Sequence, residues 1–203
     1  GTFVRDSDKA AVALIGVILP HVGDALTMDI LVGAEQTAKR RRYQVIFAQT
    51  EERAAQQAAD IQRLRDQRVA GLILFPLTNV AHDALVEGLR ADGVPLVLVD
   101  RYFPNLPTDV VVVDNFDGGY QATCHLIKLG HERIGFVAAS GLETTSIRDR
   151  FRGYRQALEE NRLAYDDSLL LFYPGDAPRA DLETYLKAPE SPTAVFASND
   201  FTA

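Results

Sequence analysis

Residues 99–137, VDRYFPNLPTDVVVVDNFDGGYQATCHLIKLGHERIGFV, contain the joint between two halves of the chain. An apolar run ends at Val99, and the connection that follows, Arg101 to Asp109, holds two prolines and is therefore not expected to form a helix. A second apolar run, Val110 to Val113, leads into a helix predicted over Asp117 to Leu129, with Gly130 as its stop. The segment predicts one α/β series that ends near residue 100 and a second one that begins near residue 115.

Upstream of this joint, short apolar runs alternate with amphipathic stretches. The runs are Val12 to Leu19, Val45 to Ala48, Leu72 to Phe75 and Leu96 to Val99. Short β-branched runs of this kind are typical of buried parallel strands. Between the first two runs, Thr27 to Arg42 has the apolar spacing of a helix. Thr50 is predicted to cap a second helix, with Glu51 and Glu52 in its first turn, and Asn79 is predicted to cap a third. The alternation predicts a doubly wound parallel sheet.

The same pattern continues downstream. Strands are predicted at Ile134 to Ala138, Leu169 to Phe172 and Ala194 to Ala197, and the helix over Asp117 to Leu129 is expected to bury Ala122, Leu126 and Leu129. The fold class is therefore α/β, with two Rossmann-like lobes, predicted over residues 12–113 and 114–203, each a parallel sheet flanked by helices. The chain ends where a further helix is expected, so we expect the second lobe to be incomplete.

Composition and charge narrow the function classes. The 203 residues are 47% hydrophobic and 24% charged, with a net charge of −7, which is typical of a globular protein. The longest apolar run is too short to cross a bilayer and no secretion signal opens the chain, so we predict a cytoplasmic protein with no membrane partner. The basic residues are spread along the sequence except for one cluster, Lys39, Arg40, Arg41 and Arg42. We interpret this cluster as the end of a helix rather than as a nucleic-acid site.

Enzyme and metal signatures are missing from the sequence. It has no phosphate-binding glycine loop and no Gly-x-Ser-x-Gly elbow. His131-Glu132 is not followed by a second histidine at the spacing of a metal site. The single cysteine, Cys124, rules out an intramolecular disulfide, and its neighbour His125 points about 100° away on a helix. We therefore predict no catalytic residue, no cofactor and no metal site.

Polar side chains follow the predicted strands. They are His21, Asp24, Gln49, Thr50, Asp100, Arg101, Asp114, Asn115, Asp117, Ser140, Asn199 and Asp200. Ligands of open α/β sheets bind beyond the carboxyl ends of the strands. Carboxylate, amide and guanidinium groups satisfy both the donors and the acceptors of hydroxyl groups, so this set suits a polyhydroxylated ligand.

The quoted segment closely resembles the effector domain of LacI/GalR-family transcription regulators. The matching positions are Asp100-Arg101, Asp114-Asn115 with Gly118-Gly119, His125-Leu126, Leu129-Gly130-His131 and Ile134-Gly135, together with IGVILP at 15–20, Arg150 before Gly153-Tyr154, and AVFASND at 194–200. The resemblance implies a periplasmic-binding-protein-like type I fold, a small effector that is usually a sugar, a homodimer, and operator DNA bound through a separate amino-terminal head.

The resemblance also implies ligand-binding positions. By position, Asp24, Ala25 and Leu26 border the effector, Arg150 reaches one of its hydroxyls and Asn199 lies on the cleft wall. Asp117 is carried over on a looser match, and Phe201 occupies a position where relatives often place a polar or aromatic neighbour of the ligand. Asp100 and Arg101 are either ligand contacts or a hinge ion pair, and Arg150 taken alone would also fit a surface ion pair with Asp149 or Glu143.

The first residues depart from the lactose-repressor pattern. Gly1-Thr2-Phe3-Val4 is similar to the end of a GntR-type winged-helix domain, and arabinose repressors join such a head to this effector domain. We therefore interpret residues 1–11 as a linker from a DNA-binding domain that precedes them in a hybrid regulator. The alternatives are a sugar-binding protein of an ABC transporter with the same fold, and a flavodoxin-like or sugar-isomerase enzyme.

Overall fold

A computed structural model of the chain describes residues 12–77, 83–173 and 179–203. The predicted cap at Asn79 and the linker over residues 1–11 lie outside these ranges. The elements are β1 (Leu14–Leu19), α1 (Ala25–Arg40), β2 (Gln44–Gln49), α2 (Ala54–Asp66), β3 (Gly71–Leu74), α3 (Asp83–Ala91), β4 (Leu96–Val99), β5 (Asp109–Val111), α4 (Asn115–Lys128), β6 (Ile134–Ala138), α5 (Thr145–Glu160), a 3-10 turn (Asp167–Leu169), β7 (Leu170–Phe172), α6 (Arg179–Lys187) and β8 (Ala194–Ala197). They form two compact units that divide between Val111 and Val112.

The first unit is built on a five-stranded parallel sheet in the order β2-β1-β3-β4-β5. Because every strand runs the same way, all carboxyl ends lie at one edge of the sheet, and the loops after β1 and β4 open there. The strand order reverses between β1 and β3, which is the position where open α/β sheets bind ligands. The predicted α/β class with parallel strands is confirmed.

Apolar residues cover both faces of this sheet because the side chains of a strand alternate. Along β1, Ile18 belongs to the cluster that includes Ile61 and Leu64 of α2, whereas Val17 and Leu19 pack on the other face with Ile30 and Leu31 of α1. Ile18, Leu19 and Leu64 are fully buried. Burial of one such side chain contributes about 1.5–3 kcal/mol, so these contacts fix the helices against the sheet.

The second unit has a three-stranded parallel sheet in the order β7-β6-β8. Phe136 of β6 lies at its centre, with ring centroids 5.2 Å from Phe151 and 5.5 Å from Tyr154 of α5. The Tyr154 hydroxyl donates to the carbonyl of Ile134 at 2.8 Å, which satisfies its polar group inside the core. Burial is the main reason why the pKa of Tyr154 is raised.

Three local expectations are wrong. α2 begins at Ala54 after Arg53, so Thr50 does not cap it; the Thr50 hydroxyl donates to the Leu19 carbonyl instead, and the following glutamates lie in a turn with positive φ. β5 ends at Val111 rather than Val113. Leu129, which was expected to be buried, is 62% exposed, since it follows the last residue of α4.

Candidate functional site

Asp24 lies at the carboxyl edge of the first unit, in the loop between β1 and α1. It caps α1: its Oδ1 accepts from the backbone N–H of Thr27 at 2.8 Å, and its Oδ2 lies 2.6 Å from Nε2 of His21. Partial burial by itself would raise the pKa of Asp24, but the hydrogen bonds from Thr27 and the contact with His21 outweigh burial and lower the pKa. Asp24 is therefore a fixed, ionised hydrogen-bond acceptor at neutral pH.

Ala25 and Leu26 form the first turn of α1, directly after Asp24. Ala25 is exposed, and Leu26 is 48% exposed although it is a large apolar residue. Within the first unit, neither side chain joins the clusters that cover the two faces of the sheet. The structure thus leaves an apolar surface beside the carboxylate.

Asp100 and Arg101 follow β4 at the same edge. Asp100 has φ +64°, a conformation that aspartate tolerates better than most residues, and its N–H donates to the Val111 carbonyl at 3.0 Å. The Arg101 guanidinium lies 4.9 Å from the centroid of the Phe75 ring, and its Nε is 3.6 Å from Asp100 Oδ2. That Nε is buried and has no hydrogen-bond partner among the described residues, so it retains an unused donor.

Gln57 is a positioning residue of this edge that sequence reasoning missed. It is fully buried; its Nε2 donates to the Phe75 carbonyl at 3.1 Å, and its Oε1 accepts from the Leu77 N–H at 3.3 Å. These bonds hold the segment after β3, and with it the ring beneath Arg101. The only available signal was a glutamine among alanines on the inward face of α2.

Arg150 lies on α5 of the second unit, and its Nη1 donates to the carbonyl of Ser198, the residue that follows β8. Ser198 is 2% exposed, and its own N–H donates to the Val137 carbonyl at 2.8 Å. α4 packs closely against the Arg150 backbone at Gly119, where a Cβ would collide with the Arg150 carbonyl. The guanidinium is therefore anchored at the carboxyl ends of β6 and β8.

Asn199 and Phe201 lie in the turn after β8, beside Arg150's anchor. Asn199 Oδ1 accepts from the N–H of Thr202 at 3.0 Å and from its hydroxyl at 2.8 Å. This orientation leaves the Asn199 amide nitrogen to donate. Phe201 is 72% exposed, which makes it the most exposed of the large apolar residues named here.

Asp117 is placed differently from the other predicted residues. It is exposed in the first turn of α4, where its carboxylate accepts from Gln121 one turn along the same helix. Asp114, as expected, caps this helix by accepting from the Asp117 N–H at 2.9 Å. Asn115 is 5% exposed, and within the part of the chain that the structure describes its buried Oδ1 has no hydrogen-bond partner.

The predicted residues thus form two groups, one on each unit. Asp24, Ala25, Leu26, Asp100 and Arg101 share the carboxyl edge of the first sheet, and Arg150, Asn199 and Phe201 share that of the second. Neither of two surface recesses of about 540 Å³, one beside Arg90 and one beside Tyr120, includes any of them.

Within residues 12–77, 83–173 and 179–203, no three histidine, cysteine, aspartate or glutamate side chains are placed to hold a metal ion. Over the same ranges, no helix has the length and apolarity that a membrane crossing requires.

Comparison with curated proteins identifies transcription regulators as relatives. The chain is 29% identical over 198 residues to the HTH-type transcriptional regulator DegA of Bacillus subtilis, and 31% identical over 192 residues to the HTH-type transcriptional repressor PurR of Haemophilus influenzae. These alignments cover 94% and 93% of the chain. The arabinose metabolism transcriptional repressor of Geobacillus stearothermophilus is 26% identical, over 98% of the chain. The chain spans a little over half the length of these relatives, 57%, 56% and 58%.

Solved structures share the fold. The transcription regulator CcpA of Lactococcus lactis superposes with a TM-score of 0.83 at 22% identity, over 94% of this chain and 69% of that protein. The transcriptional regulator CelR in complex with cellobiose gives a TM-score of 0.79 at 26% identity, over 93% and 59%. The predicted periplasmic-binding-protein-like fold is therefore confirmed.

The family assignment follows from the extent of the match. Residues 13–203, nearly all of the chain and both of its units, match the profile described as periplasmic binding proteins and sugar binding domain of LacI family. The chain belongs to this family.

Proposed function

We propose that this chain is the effector-binding domain of a bacterial transcription regulator, and that its effector is a sugar. The observation that carries the proposal is the match of residues 13–203 to a sugar-binding domain family. The curated relatives reported above are regulators of transcription by name, which favours a regulator over a transport protein and over an enzyme. We infer a cytoplasmic, non-enzymatic protein on the same ground.

The two groups of polar residues have the chemistry that a sugar requires. Asp24 accepts hydrogen bonds from hydroxyl groups, and its lowered pKa keeps it ionised. The Arg150 guanidinium, which is held at the Ser198 carbonyl, is a donor type that suits hydroxyl oxygens, and the Asn199 amide nitrogen donates as well because its Oδ1 accepts from Thr202. Leu26 and Phe201 offer apolar surface for the C–H faces of a sugar ring. In the Asp100-Arg101 pair, the buried Nε of Arg101 is a further donor. Asp117 is exposed and accepts from Gln121 of its own helix, so the structure adds nothing in favour of its contact with a ligand.

We propose that effector binding shifts an open–closed equilibrium of the lobes towards the closed state. The lobes are residues 12–113 and 114–203, and the joint between them lies near the point where the compact units divide. A ligand shifts such an equilibrium only by its differential affinity for the two states, about 1.4 kcal/mol for each tenfold change. Lobe closure would then alter operator affinity through an amino-terminal head.

A GntR-type winged helix is our candidate for that head. The alignment with the arabinose metabolism repressor covers 98% of the chain, whereas those with PurR and DegA cover 93% and 94%. The additional similarity supports a junction like that of the arabinose repressor, in which residues 1–11 are the linker.

We also propose a homodimer, with α1 as the candidate interface. Its Met28 and Val32 are both 44% exposed, so this helix carries large apolar side chains on its outer surface. Of the two helices with suitable sequence, Thr27 to Arg42 is thus better supported than Asn79 to Asp92, part of which lies outside the described residues.

A thermal-shift screen of this chain tests effector binding. The probes are arabinose, ribose, cellobiose and their phosphate esters, and a true effector at about 100 times its Kd adds about 2.7 kcal/mol of stability. The Arg150→Ala variant is the control, in which the stabilisation at the same sugar concentration should fall to roughly half or less. No shift with any sugar in wild type would argue against the proposal.

Operator binding by the full-length protein tests the regulatory role. A duplex from upstream of its own gene should bind, and saturating effector should change that affinity by roughly 5–150-fold, the usual range of allosteric coupling. Sugar binding without any DNA binding would instead favour the transport alternative, and conversion of the sugar would favour an enzyme.

A further inference from the structure

The amino edge of the first sheet gathers basic residues that are scattered in the sequence. In a parallel sheet each helix returns to the amino end of the next strand, so α1, α2 and α3 all end at this edge. The last two residues of α1 and the two residues that follow it are basic: Lys39, Arg40, Arg41 and Arg42. In addition, Arg68 follows α2, and Arg90 lies in the last turn of α3. We refer to these six residues as the amino-edge patch.

Ion pairs do not neutralise the patch within the described ranges. Nearby, Arg65 pairs with Asp92, and Arg63 pairs with Asp60 at 2.7 Å. None of the six patch residues forms an ion pair with a carboxylate in the described ranges, and all six are exposed. The chain as a whole carries −7, so this edge has the opposite sign to the average of the molecule.

Two patch arginines occupy strained backbone positions. Arg42 has φ +63° and Arg68 has φ +53°, at the ends of helices where glycine is the usual residue; Gly93 and Gly130 take this position after α3 and α4. Glycine would relieve the strain at Arg42 and Arg68. Arginine at these positions, as at Arg162 after α5, keeps a cation there at a conformational cost.

Helix ends alone do not account for so many cations. A basic residue in the last turn interacts favourably with the helix dipole, but the effect falls off within that turn. α5, which is as long as α1, has no basic residue in its last turn and ends in two glutamates. Four consecutive basic residues at the end of α1 therefore exceed what the helix needs.

The patch lies where the preceding part of the chain enters the domain. β1 lies between β2 and β3, and at its start the Ala13 carbonyl accepts from the Gln44 N–H at 3.1 Å. The ends of α1 and α2 thus flank the entry point on either side. Neighbouring strands are about 4.8 Å apart, and three such intervals separate β2 from β4, so the patch spans roughly 14 Å, a length that reaches several phosphates of a DNA duplex.

We propose that the amino-edge patch is a second DNA-contacting surface, which binds phosphates of the duplex beside the site held by the head. The inference rests on the proposed function, because it places DNA at the edge where the head joins. Contacts of this kind add affinity without sequence preference and make binding more dependent on salt.

The test compares two triple variants of the full-length protein on the upstream duplex between 50 and 200 mM salt. The patch variant is Arg42→Gly, Arg68→Gly and Arg90→Gln. The control removes the same charge from the second unit through Arg162→Gly, Lys128→Gln and Lys187→Gln. Arg162 also follows its helix with positive φ, +57°, so the control matches the charge removed and one of the two left-handed glycine substitutions.

We expect the patch variant to bind DNA at least about tenfold more weakly, with a log–log salt slope smaller by about 0.9 for each phosphate that the protein no longer neutralises. The control should keep the wild-type slope and affinity. Glycine suits both left-handed positions, so the unfolding midpoint of the patch variant should not fall, and weak binding would not reflect misfolding.

Each other outcome overturns the proposal in a distinguishable way. A patch variant with wild-type slope, while the wild type binds DNA and responds to effector, refutes the patch and leaves the proposed function standing. A lower unfolding midpoint of the full-length patch variant with an unchanged slope indicates that the patch docks the head. Wild-type protein that binds no DNA refutes both proposals.

Discussion

At the scale of single residues, Arg150 is held by a partner that lies 48 positions away in the sequence, the Ser198 carbonyl. We predict that Arg150→Ala weakens effector binding by about 10–100-fold, because a charge-assisted hydrogen bond to a hydroxyl contributes roughly 1.5–3 kcal/mol. Isothermal titration of the effector measures the change. Arg152→Ala is the matched control, since Arg152 lies two residues further along α5 with 65% of its side chain exposed. Equal affinities of the two variants would remove Arg150 from the site.

Asp24 caps α1 and has a proposed role in binding, and Asp24→Asn separates the two. Asparagine caps helices as well as aspartate does, so we expect this variant to keep α1 but to lose effector affinity at neutral pH. Asp24→Ala should in addition lose about 1 kcal/mol of stability. Chemical denaturation and effector titration of both variants make the comparison. Unchanged effector affinity in Asp24→Asn would contradict a binding role.

The pH dependence of stability follows from the lowered pKa of Asp24. The ordinary value is 3.8, and the folded value is lower, so the ionised carboxylate stabilises the folded state above about pH 3.8. This contribution is lost as the pH falls through the folded pKa. Denaturation curves between pH 5 and 2 should therefore decline less steeply for Asp24→Asn than for wild type, and parallel curves would count against the assignment.

Sequence reasoning identified the polar residues at the strand ends, but not what holds them. Asp24, Arg101 and Arg150 follow strands or match a family motif, so their positions could be predicted. The bonds from Gln57 to Phe75 and from Arg150 to Ser198 could not, because each joins elements that meet only in the folded chain. Residue type indicates the chemistry of a site, whereas its geometry depends on contacts between distant segments.

At the scale of elements, the packing of α4 on α5 depends on two glycines. A Cβ at Gly119 would collide with the Arg150 carbonyl, and one at Gly153 with the Phe116 carbonyl. Gly118, by contrast, has no described atom within 4 Å of the position of a Cβ. The helices thus approach through backbone contact on one side only, and this approach positions Arg150.

We predict that Gly153→Ala destabilises the protein by about 1–3 kcal/mol or more, because backbone atoms of α4 must move. Gly118→Ala should stabilise it by up to about 1 kcal/mol, since alanine favours the helix and meets no neighbouring atom there. Urea denaturation of the two variants provides the comparison. Similar stability changes in both would show that α4 and α5 do not pack as described.

Element boundaries were less predictable than element types. The parallel strands and most helices follow from apolar periodicity, and the stops at Gly93 and Gly130 were found where glycine takes positive φ. The start of α2 was misplaced because Thr50 bonds to the neighbouring strand rather than to the helix. Capping a helix is one of the local possibilities for a threonine. At Thr50 the hydrogen bond to the Leu19 carbonyl of β1 is formed instead.

At the scale of the whole molecule, parallel topology sorts residues to opposite edges of the first sheet. Polar candidate ligand contacts follow the carboxyl ends of the strands, and the six cations of the amino-edge patch gather at the amino ends. The second distribution could not be predicted from the sequence, where only residues 39–42 form a basic cluster. On the proposed function, effector and DNA are recognised at opposite edges of this sheet.

This separation makes a thermodynamic prediction about the full-length protein. If the effector changes DNA affinity by some factor, bound DNA must change effector affinity by the same factor, because the coupling free energy is shared between the two sites. Titrating effector into the protein with and without saturating upstream duplex measures the second factor, and titrating duplex with and without effector measures the first. We expect the two factors to agree between about 5 and 150, and the amino-edge patch variant to leave their ratio at one. Direct competition for one surface would also be reciprocal, but the apparent Kd of the effector would then keep rising with duplex concentration instead of reaching a limit, and that result would contradict two separate edges.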